Sequence, residues 1–358
     1  MADTTRFSKN SMTSIYSYSL EDLTKLLLGM GQSAYRAKQI YAWLYKRGVK
    51  SFDEMSDIAK GFREELKQNF DFSLPECSVK QESNDGTIKC LFRLKDGEQV
   101  EGVLMHYVYG YSVCVSSQVG CNMSCAFCAS GLLKRKRSLT SDEMLGQVLY
   151  FDRLLQERDS SLHVTHVVVM GTGEPFDNYD NVLSFVRIIN APFGINIGAR
   201  HITVSTCGVV PGILRFGKEG LQINLAISLH APNNKLRDLL MPINKAYPLE
   251  QLIPAIMQYG KDSGGRRVTY EYILIKDVND SLECARQLFD LIAPTFGYVN
   301  LIPYNPVMEN GFERSPDDHV TLFHQYLLQK GVKSTIRKEF GSDIDAACGQ
   351  LRAKHGNH

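Results

Sequence analysis

Apolar positions along the chain follow two rhythms, and the change between them divides the sequence. Through residue 80 the period is helical. Leu20–Gly29 and Ala34–Tyr45 read as short helices parted by Gly29-Met30-Gly31, and Ile58–Phe70 reads as a third that stops before Pro75. Lys and Arg stud these helices, which suits either a solvated face or an RNA-docking surface. Thr87–Leu94 and Val100–Tyr107 then flank Lys95-Asp96-Gly97 and predict a β-hairpin. From residue 111 strands alternate with helices. The expected strands are Tyr111–Ser117, Val164–Met170, His201–Ser205, Ile223–Leu229, Val268–Leu274 and Tyr298–Ile302. The expected helices are Ser141–Gln156, Val182–Ile189, Val210–Glu219, Leu249–Asp262 and Leu282–Ala293. This alternation predicts an α/β fold with a parallel sheet, either doubly wound or curled toward a barrel, and periodicity does not choose between them. The organisation expected is a helical accessory domain over 1–80, a hairpin extension over 81–110, the β/α unit over 111–350 and a tail over 351–358.

Polar residues interrupt the apolar pattern at one kind of place. Cys121, Gly171-Thr172-Gly173-Glu174, Ser205-Thr206, Ser228-Leu229-His230 and Asn305 each fall at or just past the C-terminal end of an expected strand. In parallel sheets that edge carries the active site.

Composition excludes several classes. With 44% hydrophobic and 22% charged residues over 358, the chain is neither collagen-like, disordered nor a disulfide mini-protein. The net charge of +1 shows no overall basic bias toward nucleic acid, although Lys134-Arg135-Lys136-Arg137 forms a compact basic run. No apolar stretch approaches the roughly 20 residues that span a bilayer, and Met1–Arg6 lacks a signal-peptide core. A soluble, cytoplasmic protein without membrane contact is expected.

Nine cysteines remain to be explained. An odd number without an export signal argues against a disulfide framework. Three of them form Cys121-x3-Cys125-x2-Cys128, with Phe127 before the last. Three thiolates this close together suit one soft metal centre. Structural zinc wants four closed ligands, whereas a [4Fe–4S] cluster on three cysteines keeps one iron open. A zinc site borrowing Cys114 or a distant cysteine is the alternative.

Cys-x3-Cys-Ala-Phe-Cys after the first strand of a β/α series resembles the radical S-adenosylmethionine (SAM) superfamily, and Gly171-Thr172-Gly173-Glu174-Pro175 resembles its glycine-rich segment. Cys114-Val-Ser-Ser-Gln-Val-Gly-Cys121, Ser228-Leu-His-Ala-Pro-Asn233, Met241-Pro-Ile-Asn244, Asn300-Leu-Ile-Pro-Tyr-Asn-Pro306 and Asp343-Ile-Asp-Ala-Ala-Cys348-Gly-Gln-Leu351 narrow the resemblance to the RlmN/Cfr family. Phe176–Asp180, Asn196–Ser205 and Gly349–Lys354 resemble its RlmN branch more than Cfr.

The resemblance implies a partial (β/α)6 TIM-like barrel with a small N-terminal helical domain and a β-hairpin extension. It implies one [4Fe–4S] cluster on Cys121, Cys125 and Cys128, and SAM held by Gly173, Glu174, Ser205, Ser228, Leu229, His230 and Asn305. By the same resemblance, Cys348 carries a methyl group as S-methylcysteine, and the radical from a second SAM activates that group for addition to adenine. Cys114 then resolves the protein–RNA crosslink through a transient disulfide with Cys348, and Glu101 accepts the proton from the substituted carbon. The implied products are C2-methylated adenine-2503 in 23S rRNA and adenine-37 in tRNAs. Cfr-like C8 methylation of the same ribosomal adenosine is the alternative. The implied partners are 23S rRNA, tRNA and a flavodoxin-like or ferredoxin-like electron donor, with a monomeric enzyme. Thr172 and Cys207 depart from the family pattern, in which Met or Ile and Ser are common. A zinc-bound RNA-binding protein without catalysis is the reading from another class.

Overall fold

The computed structural model describes residues 12–295, 297–341, 343, 344 and 351. Its centre is a ten-stranded sheet. The strands are β1 (Glu76–Glu82), β2 (Ile88–Arg93), β3 (Gln99–Tyr107), β4 (Gly110–Val115), β5 (Val164–Val169), β6 (Ile202–Thr206), β7 (Asn224–Ser228), β8 (Thr269–Leu274), β9 (Tyr298–Pro303) and β10 (Ser334–Ile336). They lie side by side in chain order. Strands β4 to β10 run parallel to one another, and β1 to β4 form an antiparallel meander.

This order chooses between the two architectures that periodicity left open. A doubly wound sheet reverses its strand order at a switch point. Here every parallel step moves the same way, and crossovers of one hand then bring the connecting helices to one face. The opposite face is left as the inside of an incomplete barrel. All six expected parallel strands are present. The seventh, β10, and the edge strand β1 were not expected from the sequence.

Side chains alternate accordingly. Val113, Val115, Val204, Leu225, Ile227, Tyr270, Tyr272 and Leu301 belong to the main apolar core. The alternate positions include Cys114, Ser205, Ser228, Glu271 and Asn300, smaller or polar groups that face inward. Asn300 Nδ2 donates to Glu271 Oε2 there at 2.7 Å.

Helices α1 (Leu20–Gly29), α2 (Tyr35–Tyr41) and α3 (Lys60–Asn69) form the N-terminal unit. Ser19 caps α1 by accepting from the amide of Asp22. The core continues without a break from Leu23, Leu27, Ile40 and Phe62 into the sheet. In the β/α region α4 (Ser141–Arg158), α5 (Tyr179–Asn190), α6 (Val210–Gly217), α7 (Asn234–Leu240), α8 (Leu249–Asp262), α9 (Leu282–Ile292) and α10 (Asp317–Gln329) connect the strands. Thr140 and Glu143 make a capping box at the start of α4.

The chain leaving β10 crosses back toward the meander. Phe340 packs its ring edge-on against Tyr107, 4.6 Å between centroids. The amide of Gly341 donates to Asp85 at 2.9 Å, and Asp343 accepts from Ser83 and from Asn84 in the β1–β2 turn. This strap joins the last parallel strand to the antiparallel extension. Among the described residues no helix is long and apolar enough to cross a membrane.

Candidate active site

Because β4 to β9 are parallel, their C-terminal ends share one edge, and most of the site residues expected from the sequence lie there. Cys121, Cys125 and Cys128 occupy the loop between β4 and α4. Gln118–Val119 pairs antiparallel with Arg137–Ser138 and pinches that loop shut at its base. Within it the amide of Cys121 donates to the carbonyl of Leu133 at 2.8 Å, and that of Cys128 to Cys125 at 3.1 Å. Gly120 makes the pinch possible. Its φ is +78°, and a Cβ there would collide with the carbonyl of Lys134. Gly120→Ala is therefore expected to open the loop: protease cleavage between 118 and 138 should quicken and iron uptake should fall several-fold, while far-UV circular dichroism stays unchanged. Unaltered iron uptake would contradict this role.

The three thiols are partly buried and free. Among the described residues no set of three or more His, Cys, Asp or Glu side chains stands as a ready metal site. The donor chemistry nonetheless fits an iron–sulfur cluster. All three are soft donors on one constrained loop, and they act on one another electrostatically. Burial pushes the Cys121 thiol up to about 11 and the Cys125 thiol higher still, with the neighbouring thiols adding to both. For Cys121 and Cys125 the protonated thiol is therefore favoured until a metal displaces the proton.

Glu174, after β5, is wholly buried. Its Oε1 accepts from the amide of Phe176 at 2.9 Å and its Oε2 from that of Cys207 at 2.8 Å, joining the loops after β5 and β6. Burial raises its pKa, and these amides oppose the rise. The Thr206 hydroxyl and the Cys207 thiol also hydrogen-bond to it, so the carboxylate is held from both loops. Gly173, at φ +112°, runs so close to Gln118 and Ser117 that a Cβ would meet them at 2.6–2.8 Å. Ser205 and Ser228, from neighbouring strands, bring their hydroxyls within 3.4 Å.

His230 adopts a left-handed backbone, φ +55°, and buries its ring edge-on against Phe127. Its Nδ1 accepts from the amide of Ile273 at 3.0 Å. Burial drives its pKa down to about 3, so the imidazole is neutral with its proton on Nε2. Leu229 is different. Its side chain lies in the main core, while its amide donates to Glu271 and its carbonyl accepts from Arg237. Asn305 is exposed just past β9.

Glu101 on β3 and Cys114 on β4 share the inner face of the meander. Val103 pairs directly with Cys114, and Glu101 is two residues before Val103. Both are buried, and Cys114 packs with Val103, Met105, Val168 and Phe340. Cys348 lies outside the described residues.

The chain matches the family model described as the ribosomal RNA large subunit methyltransferase N-terminal domain over residues 13–71 and that of the radical SAM superfamily over 115–288. A probable dual-specificity RNA methyltransferase RlmN of Spiroplasma citri is 53% identical over 344 residues, covering 96% of this chain and 98% of that protein. The chain belongs to the RlmN family. An RlmN of the same description from Streptococcus pyogenes serotype M2 is 50% identical over 95% of this chain and 96% of its own length. A crystal structure of a radical SAM methyltransferase from Sphaerobacter thermophilus superposes with a TM-score of 0.87 at 42% identity, over 94% of this chain and 98% of that one.

The radical SAM match implies a [4Fe–4S] cluster and SAM, and the structure adds residues to which the motifs assigned no role. Lys89 on β2 is fully buried and pairs with Glu101 at 3.0 Å. Its only signal in the sequence is a lone charge in Ile88-Lys89-Cys90-Leu91-Phe92. Tyr304 donates to the carbonyl of Phe127 at 3.3 Å and ties the cysteine loop to the end of β9. Gln118 accepts from the amide of Glu174 at 3.0 Å. The basic run after the cysteines is largely engaged within the protein. Arg135 pairs with Asp177, Lys136 with Glu98, and Arg137 with both Asp96 and Glu143. Arg137 thus serves the cap of α4 and the hairpin turn, and Lys134 remains exposed.

Proposed function

We propose that this protein methylates C2 of adenine in 23S rRNA and in tRNA, with Cys348 carrying the methyl carbon. The relatives to which it is half identical are described as probable dual-specificity RNA methyltransferases, which supports two RNA targets, and the match to a ribosomal RNA large subunit methyltransferase N-terminal domain supports ribosomal RNA as one of them. The observation that carries the chemistry is the joint placement of Glu101 and Cys114 on the inner face, one strand apart. The strap that leads to Cys348 is anchored beside them. Asp343 is held at the β1–β2 turn and Phe340 packs in the Cys114 cluster. Cys348 follows Asp343 by five positions, a reach of at most about 18 Å.

The parts divide as follows. Cys121, Cys125 and Cys128 hold the cluster, which when bound supplies the electron that splits SAM. Glu174 and the Ser205–Ser228 pair receive the amino and polar groups of SAM, and neutral His230 presents Nε2–H as a donor. Glu101, held by Lys89, takes the proton from the substituted ring carbon. Cys114, as thiolate, attacks the Cys348 sulfur. An S–S bond forms as the C–S bond breaks, and the electron pair left on carbon takes up a proton to give the methyl group. C2 of adenine is an electron-poor sp² carbon, which is why displacement on a sulfonium does not suffice.

The test is anaerobic reconstitution, then incubation with unmodified 23S rRNA or tRNA, dithionite and methyl-labelled SAM. Nucleoside mass spectrometry should find 2-methyladenosine from both RNAs. 8-Methyladenosine would assign the protein to Cfr-like chemistry. Uptake of zinc alone, without the broad visible absorption of an iron–sulfur centre, would defeat the radical reading.

A further inference from the structure

Arg237, on α7, is completely buried, and no motif accounts for it. Its guanidinium donates to the carbonyls of Cys207 at 2.5 Å and Leu229 at 3.3 Å, and to Asn244 Oδ1 at 2.9 Å. All three acceptors are neutral. Asp238, whose charge acts on Arg237, is exposed and accepts from Asn244 Nδ2. A buried cation without a buried counter-ion is costly, and such placements concentrate at functional sites.

Its surroundings show what the charge faces. The last residue of α7, Leu240, accepts from the amide of Ala126 at 2.9 Å and so fixes the Cys125–Cys128 turn to the helix that carries Arg237. Cys125, Phe127, Leu240 and Cys207 share one apolar cluster. The Arg237 charge reaches Cys125, Cys207 and His230. The Cys207 peptide is gripped from two sides, its amide by Glu174 and its carbonyl by Arg237. Arg237 is thus a buried cation separated from Glu174 by the Cys207 peptide, with its charge acting on the Cys125 and Cys207 thiols.

We propose that Arg237 is a positioning residue of the cluster site, its fixed positive charge offsetting the cysteinates and favouring the state that carries one more electron. This rests on the cluster reading of Cys121, Cys125 and Cys128. Reduction there adds one electron, with no proton taken up and no protein bond changed. The added negative charge lies in a low-dielectric region, where a nearby cation counts for more than in water. A purely structural Arg237 would need its forked hydrogen bonds, whereas this role needs its charge.

The full-length protein, reconstituted anaerobically, is titrated with dithionite and mediators while electron paramagnetic resonance and iron content are recorded. Arg237→Gln should bind iron yet reduce at a more negative potential. A tenfold loss of reduced fraction at fixed potential, or about 59 mV for a one-electron couple, is the smallest shift expected. Arg237→Lys, which keeps the charge and loses the fork, should stay near the wild type. Asn244→Asp leaves Arg237 in place but sets an anion against Nη1, and should also shift the potential downward. This second variant decides the matter if Arg237→Gln does not fold. Equal shifts in the Lys and Gln variants, or none in Gln and Asp, would overturn the proposal. A wild-type protein that takes up no iron would instead defeat the cluster reading beneath it.

Discussion

Replacing Cys114 by alanine is expected to turn a multiple-turnover enzyme into one that reacts once and stays joined to its RNA. Cys114 is buried at the inner face of β4, beside Val103, Met105 and Phe340, with water largely excluded. Without its sulfur nothing attacks the Cys348 sulfur, so the C–S–C link between protein and base persists. Product should fall to at most one methylated adenine per enzyme. A slow-migrating protein–RNA species should accumulate, and nuclease digestion should leave an adenosine on the peptide containing Cys348. Cys348→Ala should give neither product nor adduct, because it lacks the sulfur that accepts the methyl group. The double variant should behave like Cys348→Ala alone. Cys114→Ser should trap the adduct as alanine does, since an alkoxide does not form the disulfide that releases the base. Sustained turnover by Cys114→Ala would remove Cys114 from the release step.

The parts of the fold that were legible in the sequence are those whose burial is one-sided or complete. Strands such as Val164–Val169 and Asn224–Ser228 lie inside the sheet with apolar residues packed under the helices, so their runs stand out. The edge strand β1 escaped because Glu76–Glu82 alternates between exposed and half-buried positions and carries charge on nearly every other residue. β10 is only Ser334–Ile336, too short to set up a period. Barrel and doubly wound sheets have the same local alternation, and only the pairing of β4 through β10 in chain order separates them. The candidate site divides in the same way. Cysteines and glycines at fixed spacing are visible because the chemistry is local in sequence. The partners of Glu101 and Glu174 are brought by register and by neighbouring loops, so Lys89 and the amide of Cys207 left no pattern to read. The ion pairs of the basic run were hidden for a related reason. Its acidic partners Asp96 and Glu98 sit in the hairpin turn, far away in the chain.

Lys89→Met should destabilise the protein by about 3–5 kcal/mol, because it takes the paired cation away from a buried carboxylate. Lys89 is fully buried and Glu101 nearly so, 0% and 5% exposed, so solvent screening does little to soften the loss. Their geometry follows from the sheet. Lys89 pairs with Val103 across β2 and β3, and Glu101 lies one diagonal step away on the same face. The variant should show a lower urea midpoint and weak activity, two effects that a single substitution confounds. Lys89→Met combined with Glu101→Gln separates them. Removing both charges at once replaces the ion pair by a neutral pair of similar volume, and most of the lost stability should return. Methylation should not return with it, since the amide that Glu101→Gln puts in place of the carboxylate cannot take a proton from the ring carbon. The expected signature is therefore a refolded variant that still forms the Cys348–RNA adduct but releases little or no 2-methyladenosine. Full activity in this double variant would show that Glu101 serves only to neutralise Lys89, and that the proton leaves the ring by another route.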